Sequence, residues 1–223
     1  MARTINIACL QTRPKPTFDA ALIEALELAG IAVSAGANLI TFPEYCGGLA
    51  SKGPNLAPPA AEEDQHPVLQ GLIEFAKGNN IWMIVGSVAV SSGNGKIKNR
   101  SFVIDDKGLI HGKYDKIHLF DVELSASEMY KESIAVSGGC QAVVTKTPFG
   151  LIGLSICYDL RFPGLYRDLA KAGAEIIMVP AAFTKTTGEA HWHVLNRARA
   201  IENGAFVVAP CAVGPIDGGG ECF

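Results

Sequence analysis

The sequence predicts one α/β domain with mixed sheets, and three observations carry that prediction. Short apolar runs rich in β-branched residues alternate along the chain with stripes of helical period. Ser101–Asp105 and Leu109–Tyr114 flank Asp106-Lys107-Gly108, a hairpin signature in which glycine supplies the positive-φ position, so one strand pair is antiparallel. The chain has 223 residues, 48% of them apolar, with no repeat, low-complexity tract or interior linker. That length suits a single unit over residues 1–223 with a sizeable core.

Thr4–Gln11 is short and β-branched, which predicts a strand. Asp19–Ala35 places Leu22, Ala25, Leu26, Ala29 and Val33 on one helical stripe and stops at Gly36. Asn38–Phe42 predicts the next strand, ended by Pro43, and a proline-rich loop from Ser51 to Pro67 leads to a helix over Val68–Lys77. Ile81–Val90 is continuously apolar and predicts a strand covered on both faces. Beyond the hairpin, Leu151–Ile156 predicts a buried strand running directly into Cys157. Gly164–Lys171 predicts a helix and Glu175–Val179 a strand. His191–Asn203 predicts a long helix, opened by the capping box Thr186-x-x-Glu189 and closed at Gly204. Phe206–Ala209 predicts the last strand.

Composition excludes several classes of function. The formal net charge of -3 is spread too evenly for a nucleic-acid footprint. The apolar run Ile81–Val90 is about half of what a membrane span requires. The stretch after Met1-Ala2-Arg3 is too short for a signal peptide's apolar core. A soluble cytoplasmic protein with neither nucleic-acid nor membrane partners is expected. Six cysteines (Cys9, Cys46, Cys140, Cys157, Cys211, Cys222) are an even number, yet a chain this long and apolar does not need disulfides. No Cys-x-x-Cys pair suggests zinc, and His191 and His193, two apart on a helix, point nearly opposite ways, so no metal is expected. With no Walker loop and no Gly-x-Gly-x-x-Gly after a strand, no cofactor is expected.

Three strand ends draw attention, because α/β proteins place reactive groups where strands meet loops. Thr41-Phe42-Pro43-Glu44-Tyr45 sets a carboxylate directly after an apolar run. Lys116 stands among apolar and aromatic residues in Lys113-Tyr114-Asp115-Lys116-Ile117-His118-Leu119-Phe120. Cys157 tips a buried strand just before a turn and a helix, whose amides favour a thiolate. Each alone has an ordinary reading: a loop glutamate, a lysine snorkelling past an apolar patch, a core cysteine. Together they are the parts of hydrolysis through a thioester. Cys157 would be the nucleophile, Glu44 its general base and then acid, and Lys116 a clamp on the oxyanion. The rival within the sequence is a Cys–His hydrolase with His191 or His193 as base.

FPEYCGG around Glu44, KYDKIHLFD around Lys116 and SICYDLRFP around Cys157 resemble, in order and separation, the three signatures of the nitrilase (carbon–nitrogen hydrolase) superfamily. NRSFVID from Asn99 and TTGEAHWHVLNRARAIENG from Thr186 are similar as well. The resemblance implies a four-layer α-β-β-α sandwich, a Glu44-Lys116-Cys157 triad and an oxyanion hole completed by the Tyr158 N–H. It also implies a second glutamate between the lysine and the cysteine, for which Glu132 is the choice and Glu128 and Glu123 are competitors. CYDLRFP and TTGEAHW resemble the Nit-like amidases, which include deaminated-glutathione amidase and ω-amidase. A small carboxamide, carboxylate-bearing in some members, is the implied substrate, with N-carbamoyl amino acids or nitriles as alternatives. A catalytically silent binding protein on the same fold is the alternative from another class.

Arg161 resembles a position that holds a substrate carboxylate in related carbamoylases, with pairing to Asp159 or Glu44 as the structural alternative. Thr184, Thr186 and Thr187 lie where the family places pocket residues, and Phe42, Tyr45, Tyr158 and Phe183 are candidates for an apolar wall. Homodimers or higher homo-oligomers are implied, through Gly164–Ala172 and the helix from His191. In the superfamily a turn like Gly218-Gly219-Gly220 precedes further strands, so the resemblance implies a chain lacking its C-terminal strands.

Overall fold

Two sheets stand face to face between two pairs of helices in this computed structural model, which describes residues 4–53, 55–93, 95–125 and 128–223. In the first sheet β1 (Ile7–Cys9), β2 (Leu39–Thr41) and β3 (Trp82–Ser91) run parallel. β4 (Ile97–Ile104) and β5 (Ile110–Asp115) extend it antiparallel, through the hairpin turn at Gly108. A separate hairpin, β6 (Asp121–Ser125) with β7 (Glu128–Lys131), follows. The second sheet has β8 (Val143–Thr147) antiparallel to β9 (Gly150–Leu154), then β10 (Ile176–Met178) and β11 (Phe206–Val208) parallel to β9. Both sheets are mixed, as the sequence predicts.

Period-two alternation assigns each strand residue to a layer. Ile40, Met83, Val85, Phe102 and Ile104 turn outward and pack with α1 (Phe18–Ser34) and α2 (Pro67–Asn79). Leu39, Ile84, Val103 and Tyr114 turn the other way, into one cluster with Ile152, Leu154 and Ile177 of the second sheet. That cluster continues onto α3 (Pro163–Lys171) through Leu165 and Leu169, and onto α4 (Lys185–Asn203) through Trp192. The order is therefore helix, sheet, sheet, helix. α1 starts where Thr17 Oγ1 accepts the Ala20 N–H at 3.4 Å, and α2 where His66 Nδ1 accepts the Leu69 N–H at 3.4 Å.

Several expectations shift. α4 begins at Lys185, and Thr186 and Glu189 lie within its first turns instead of capping a helix at His191. Thr184 precedes the helix, its hydroxyl 2.7 Å from that of Thr187, and burial of Thr187 and Gly188 sets the start where local pattern does not. The predicted strand Leu151–Ile156 ends at Leu154, because Ser155 and Ile156 lead into the turn at Cys157. β6, β7 and β8 are strands the sequence reading did not single out. The Gly218–Gly220 turn, expected to open an element, does so: β13 (Glu221–Cys222) follows it and pairs antiparallel with β12 (Gly214–Pro215). All six cysteines are free. Among the described residues no helix is long and apolar enough to cross a membrane.

One glycine decides how β3 meets the segment after β2. A Cβ at Gly86 would stand 1.9 Å from the Phe42 carbonyl oxygen and 2.3 Å from that of Pro43. Gly30, inside α1, has nothing within 4 Å of its Cβ position. Gly86→Ala is expected to cost at least the ~1–3 kcal/mol typical of overpacking, since the clash is with backbone. Gly30→Ala is expected to stabilise by roughly 0.5–1 kcal/mol. Urea denaturation midpoints of the two variants measure both, and equal midpoints would contradict the packing argument.

Candidate active site

Four segments, from both sheets and the β6–β7 hairpin, converge on one cluster of buried charge. Glu44 follows β2, where the Phe42 N–H donates to the Ile84 carbonyl and the Tyr45 N–H to Ser87 Oγ at 2.8 Å. Lys116 is the residue after β5, its own N–H donating to the Asn99 carbonyl at 3.0 Å. Glu132 opens a single 3-10 turn, Glu132–Ile134, after β7. Cys157 stands three residues beyond β9, its N–H donating to the Pro180 carbonyl at 2.9 Å, and opens the 3-10 turn Cys157–Arg161.

The Lys116 ammonium donates to Glu44 Oε1 at 2.9 Å, and to Glu132 Oε2 and Oε1 at 2.9 and 3.2 Å. All three side chains are buried. Asn99 Nδ2 donates to Glu44 Oε1 at 2.8 Å and to Glu132 Oε1 at 3.4 Å, a neutral donor shared between the same carboxylates. The Ala182 N–H donates to Glu44 Oε2 at 2.8 Å, the Phe120 N–H to Glu132 Oε2 at 2.7 Å, and the Tyr45 hydroxyl to Glu132 Oε1 at 3.3 Å. Cys157 and Glu44 border the same cavity, and the Glu44 charge acts on the thiol.

Two carboxylates around one ammonium leave the cluster with a net negative charge, and that sets the protonation states. Burial alone would lower the Lys116 pKa, but Glu132 and Glu44 outweigh it and hold the ammonium well above its usual range. Burial, then the Glu44 charge, pushes the Cys157 thiol well above its usual range, with Lys116 pulling the other way. Tyr45 is likewise raised, by burial first and then by Glu132. The resting site thus pairs a protonated thiol with a carboxylate that can receive its proton.

Backbone strain marks both sides of the pair. Cys157 has φ 48° and Tyr45, next to Glu44, has φ 54°, a left-handed conformation that costs a non-glycine residue of order 1–3 kcal/mol. Among the described residues, the Tyr158 N–H at the start of the Cys157 turn donates to no protein acceptor.

Glu44, Lys116, Glu132 and Cys157 border one cavity of about 400 Å³, walled by Phe120, Met129, Tyr130, Tyr158, Phe183 and Ile216. Thr184, Thr187 and the Gly218–Glu221 turn also line it. Arg161 does not line it: its guanidinium lies 5.9 Å from the Tyr158 ring and 5.6 Å from the Phe183 ring, behind the wall, and 3.2 Å from His191 Nδ1. Nor does it pair with Asp159 or Glu44. Phe42 is buried against the α1–α2 layer rather than in the wall, Tyr45 is buried with its hydroxyl on Glu132, and Thr186 is exposed on α4. His193 packs edge-on against Phe223, and neither it nor His191 meets Cys157. Glu123 is exposed, and the Glu128 side chain lies outside the described residues. Asn99 is the group the sequence reading named only as part of a segment. Its signal was parity, for it shares a strand face with Val103, which points into the core between the sheets.

The sequence model of the carbon-nitrogen hydrolase family matches residues 6–223. The chain is similar to a protein of Yersinia enterocolitica named deaminated glutathione amidase, 44% identical over 158 residues, which are 70% of this chain and 55% of that protein. It is similar to omega-amidase NIT2 of Mus musculus, 34% identical over 204 residues, 92% of this chain and 73% of that protein. The crystal structure of the Caenorhabditis elegans NitFhit protein superposes with a TM-score of 0.87 at 29% identity, covering 100% of this chain and 55% of that one. The match thus spans little more than half the length of the first of these relatives.

The charge cluster makes two substitutions diverge. Lys116→Met leaves two buried carboxylates facing each other and is expected to cost about 3–5 kcal/mol in urea denaturation. Glu132→Gln removes one negative charge that raises the Cys157 pKa. Alkylation of Cys157 by iodoacetamide at neutral pH is then expected to speed up, because more thiolate is present. An alkylation rate that falls in Glu132→Gln would contradict the electrostatic account.

Proposed function

The chain belongs to the carbon–nitrogen hydrolase family, and from that membership and the site geometry we propose that it hydrolyses small primary carboxamides through a thioester on Cys157. The observation that carries the reading is the meeting of a thiol, a hydrogen-bonded carboxylate and a buried ammonium at one cavity.

The Cys157 sulfur attacks the amide carbon as its proton passes to Glu44, forming the S–C bond and a tetrahedral oxyanion. Lys116 and the Tyr158 N–H stabilise that oxyanion. Glu44 returns the proton to the amide nitrogen, the C–N bond breaks, and ammonia leaves a thioester. Water attacks the thioester carbon while Glu44 takes its proton. The tetrahedral species collapses, the C–S bond breaks, and the proton returns to sulfur, releasing the carboxylic acid. Glu132 and Asn99 hold the ammonium and the base in register without touching the substrate.

The Nit-like segments and the names of the relatives support ω-amides of keto acids and their peptide derivatives as the substrate class. A cavity of about 400 Å³ with aromatic walls accommodates a chain of that length. Thr184, Phe183 and Tyr158 would contact the substrate directly, with Arg161 bracing two of them from behind. We assign the protein to the cytoplasm, in keeping with its free thiols, and to a homodimer, for which exposed Val194 and Ile201 on α4 offer an apolar face.

Ammonia release from α-ketoglutaramate, deaminated glutathione and an N-carbamoyl amino acid tests the substrate class. Cys157→Ala and Glu44→Gln are each expected to lower kcat by about 10³-fold or more. Hydroxylamine is expected to divert the thioester to a hydroxamic acid. Full activity in either variant would overturn the mechanism. Turnover of the carbamoyl compound alone would move the protein to another substrate class.

A further inference from the structure

We propose that Asp159 is a positioning residue that fixes the gap between the Lys116 ammonium and the Cys157 sulfur; the proposal rests on the acyl-transfer reading above. The two groups come from different sheets: Lys116 follows β5 of the first, and Cys157 follows β9 of the second. No backbone ladder joins those strands, so side chains must set the distance between them. Glu44 makes one link, through the Ala182 N–H. Asp159 makes another, around the oxyanion site itself.

The Asp159 carboxylate is fully buried. Oδ2 accepts the Ile156 N–H at 2.9 Å and the Tyr114 hydroxyl at 2.7 Å. Oδ1 accepts the His118 N–H at 3.0 Å and lies 2.7 Å from His118 Nδ1, which acts as donor to the carboxylate. These partners have a pattern. Tyr114 and His118 lie two residues before and two after Lys116, while Ile156 and Asp159 itself bracket Cys157. One carboxylate thus ties the chain on both sides of the lysine to the chain on both sides of the nucleophile.

The link extends further. The His118 ring stacks on Phe162, centroids 3.6 Å apart and planes 7° from parallel, and Phe162 meets Tyr158 edge-on at 5.4 Å. Tyr158 carries the N–H that completes the oxyanion site. A carboxylate serving only the core would have no reason to choose partners symmetric about the lysine.

Asp159→Asn keeps the size of the side chain but cannot accept all four hydrogen bonds. Three readouts are taken on the full chain: steady-state kinetics on the best amide, the pH profile of Cys157 alkylation by iodoacetamide, and thermal unfolding. Cys140, exposed in the same molecule, serves as the alkylation control. The expected result is a kcat lowered roughly 10- to 100-fold with KM nearly unchanged, the scale on which misplaced reacting groups slow catalysis. The Cys157 profile moves to higher pH as the ammonium draws away, and Cys140 labelling is unchanged. A folded Asp159→Asn with the parent kcat and Cys157 profile overturns the proposal, as does a loss confined to KM.

If Asp159→Asn does not fold, the partners decide. His118→Ala is expected to lower kcat and His118→Asn, which keeps a donor, to recover part of it; parent-like kcat in His118→Ala and Tyr114→Phe overturns the proposal. The alkylation profile needs no substrate. A protein without amidase activity whose Cys157 profile still shifts in Asp159→Asn refutes the acyl-transfer reading and keeps the clamp.

Discussion

The Lys116 ammonium between Glu44 and Glu132 is the interaction on which the rest of the site depends. Two buried carboxylates sharing one region repel each other unless a cation stands between them. Taking three charges out of water costs several kcal/mol per ion, which mutual attraction offsets only if every lone pair and proton finds a partner. Here they do. Glu44 receives hydrogen bonds from Lys116, Asn99 and Ala182, and Glu132 receives them from Lys116, Phe120, Tyr45 and Asn99. Because the groups that meet here come from both sheets and, in Glu132, from the end of the β6–β7 hairpin, the charge network holds those pieces in one arrangement.

That arrangement lies across the seam of a sandwich, which explains where strain collects. The sheets pack closely enough that a Cβ on Gly112 of β5 would come within 2.1 Å of Thr145 Oγ1 on β8. A side chain leaving a strand end must turn sharply to reach the seam. Tyr45 and Cys157 make those turns in left-handed conformations, and each is held there by hydrogen bonds, from the Tyr45 N–H to Ser87 and from the Cys157 N–H to Pro180. Relaxing either turn would swing its reactive side chain out of the network, so the strain is part of the placement.

What could be read from the sequence follows from what is buried. Ile81–Val90 coincides with β3 to within a residue because a strand covered on both faces is apolar throughout. Glu44, Lys116 and Cys157 were legible because each is a chemically active side chain next to an apolar run. β6 and β7 were not, because that hairpin pairs only with itself and carries no continuous apolar run. β8 hid for a related reason, as its buried Thr145 and Thr147 read as polar. Asn99 looked like an ordinary polar residue beside Arg100, and only strand pairing shows that it faces the carboxylates. The place of Arg161 could not be read, because the 3-10 turn after Cys157 sets its guanidinium against Tyr158 and Phe183, a direction that sequence spacing does not encode.

The charge balance also constrains the order of chemical events. With the thiol pushed well above its usual range by burial and by Glu44, a free thiolate would be a costly intermediate in the resting site. In the proposed reaction, proton transfer to Glu44 would therefore be coupled to attack on the carbonyl carbon, because only bond formation moves the negative charge from sulfur to oxygen. At oxygen that charge meets Lys116, whose proton is held firmly by the same two carboxylates. Under that proposal the lysine would act as a fixed positive charge and not as an acid, and the proton for the departing nitrogen would come from Glu44. One carboxylate would then carry the proton in both directions, because its partner, Glu132, keeps the ammonium from competing for that task.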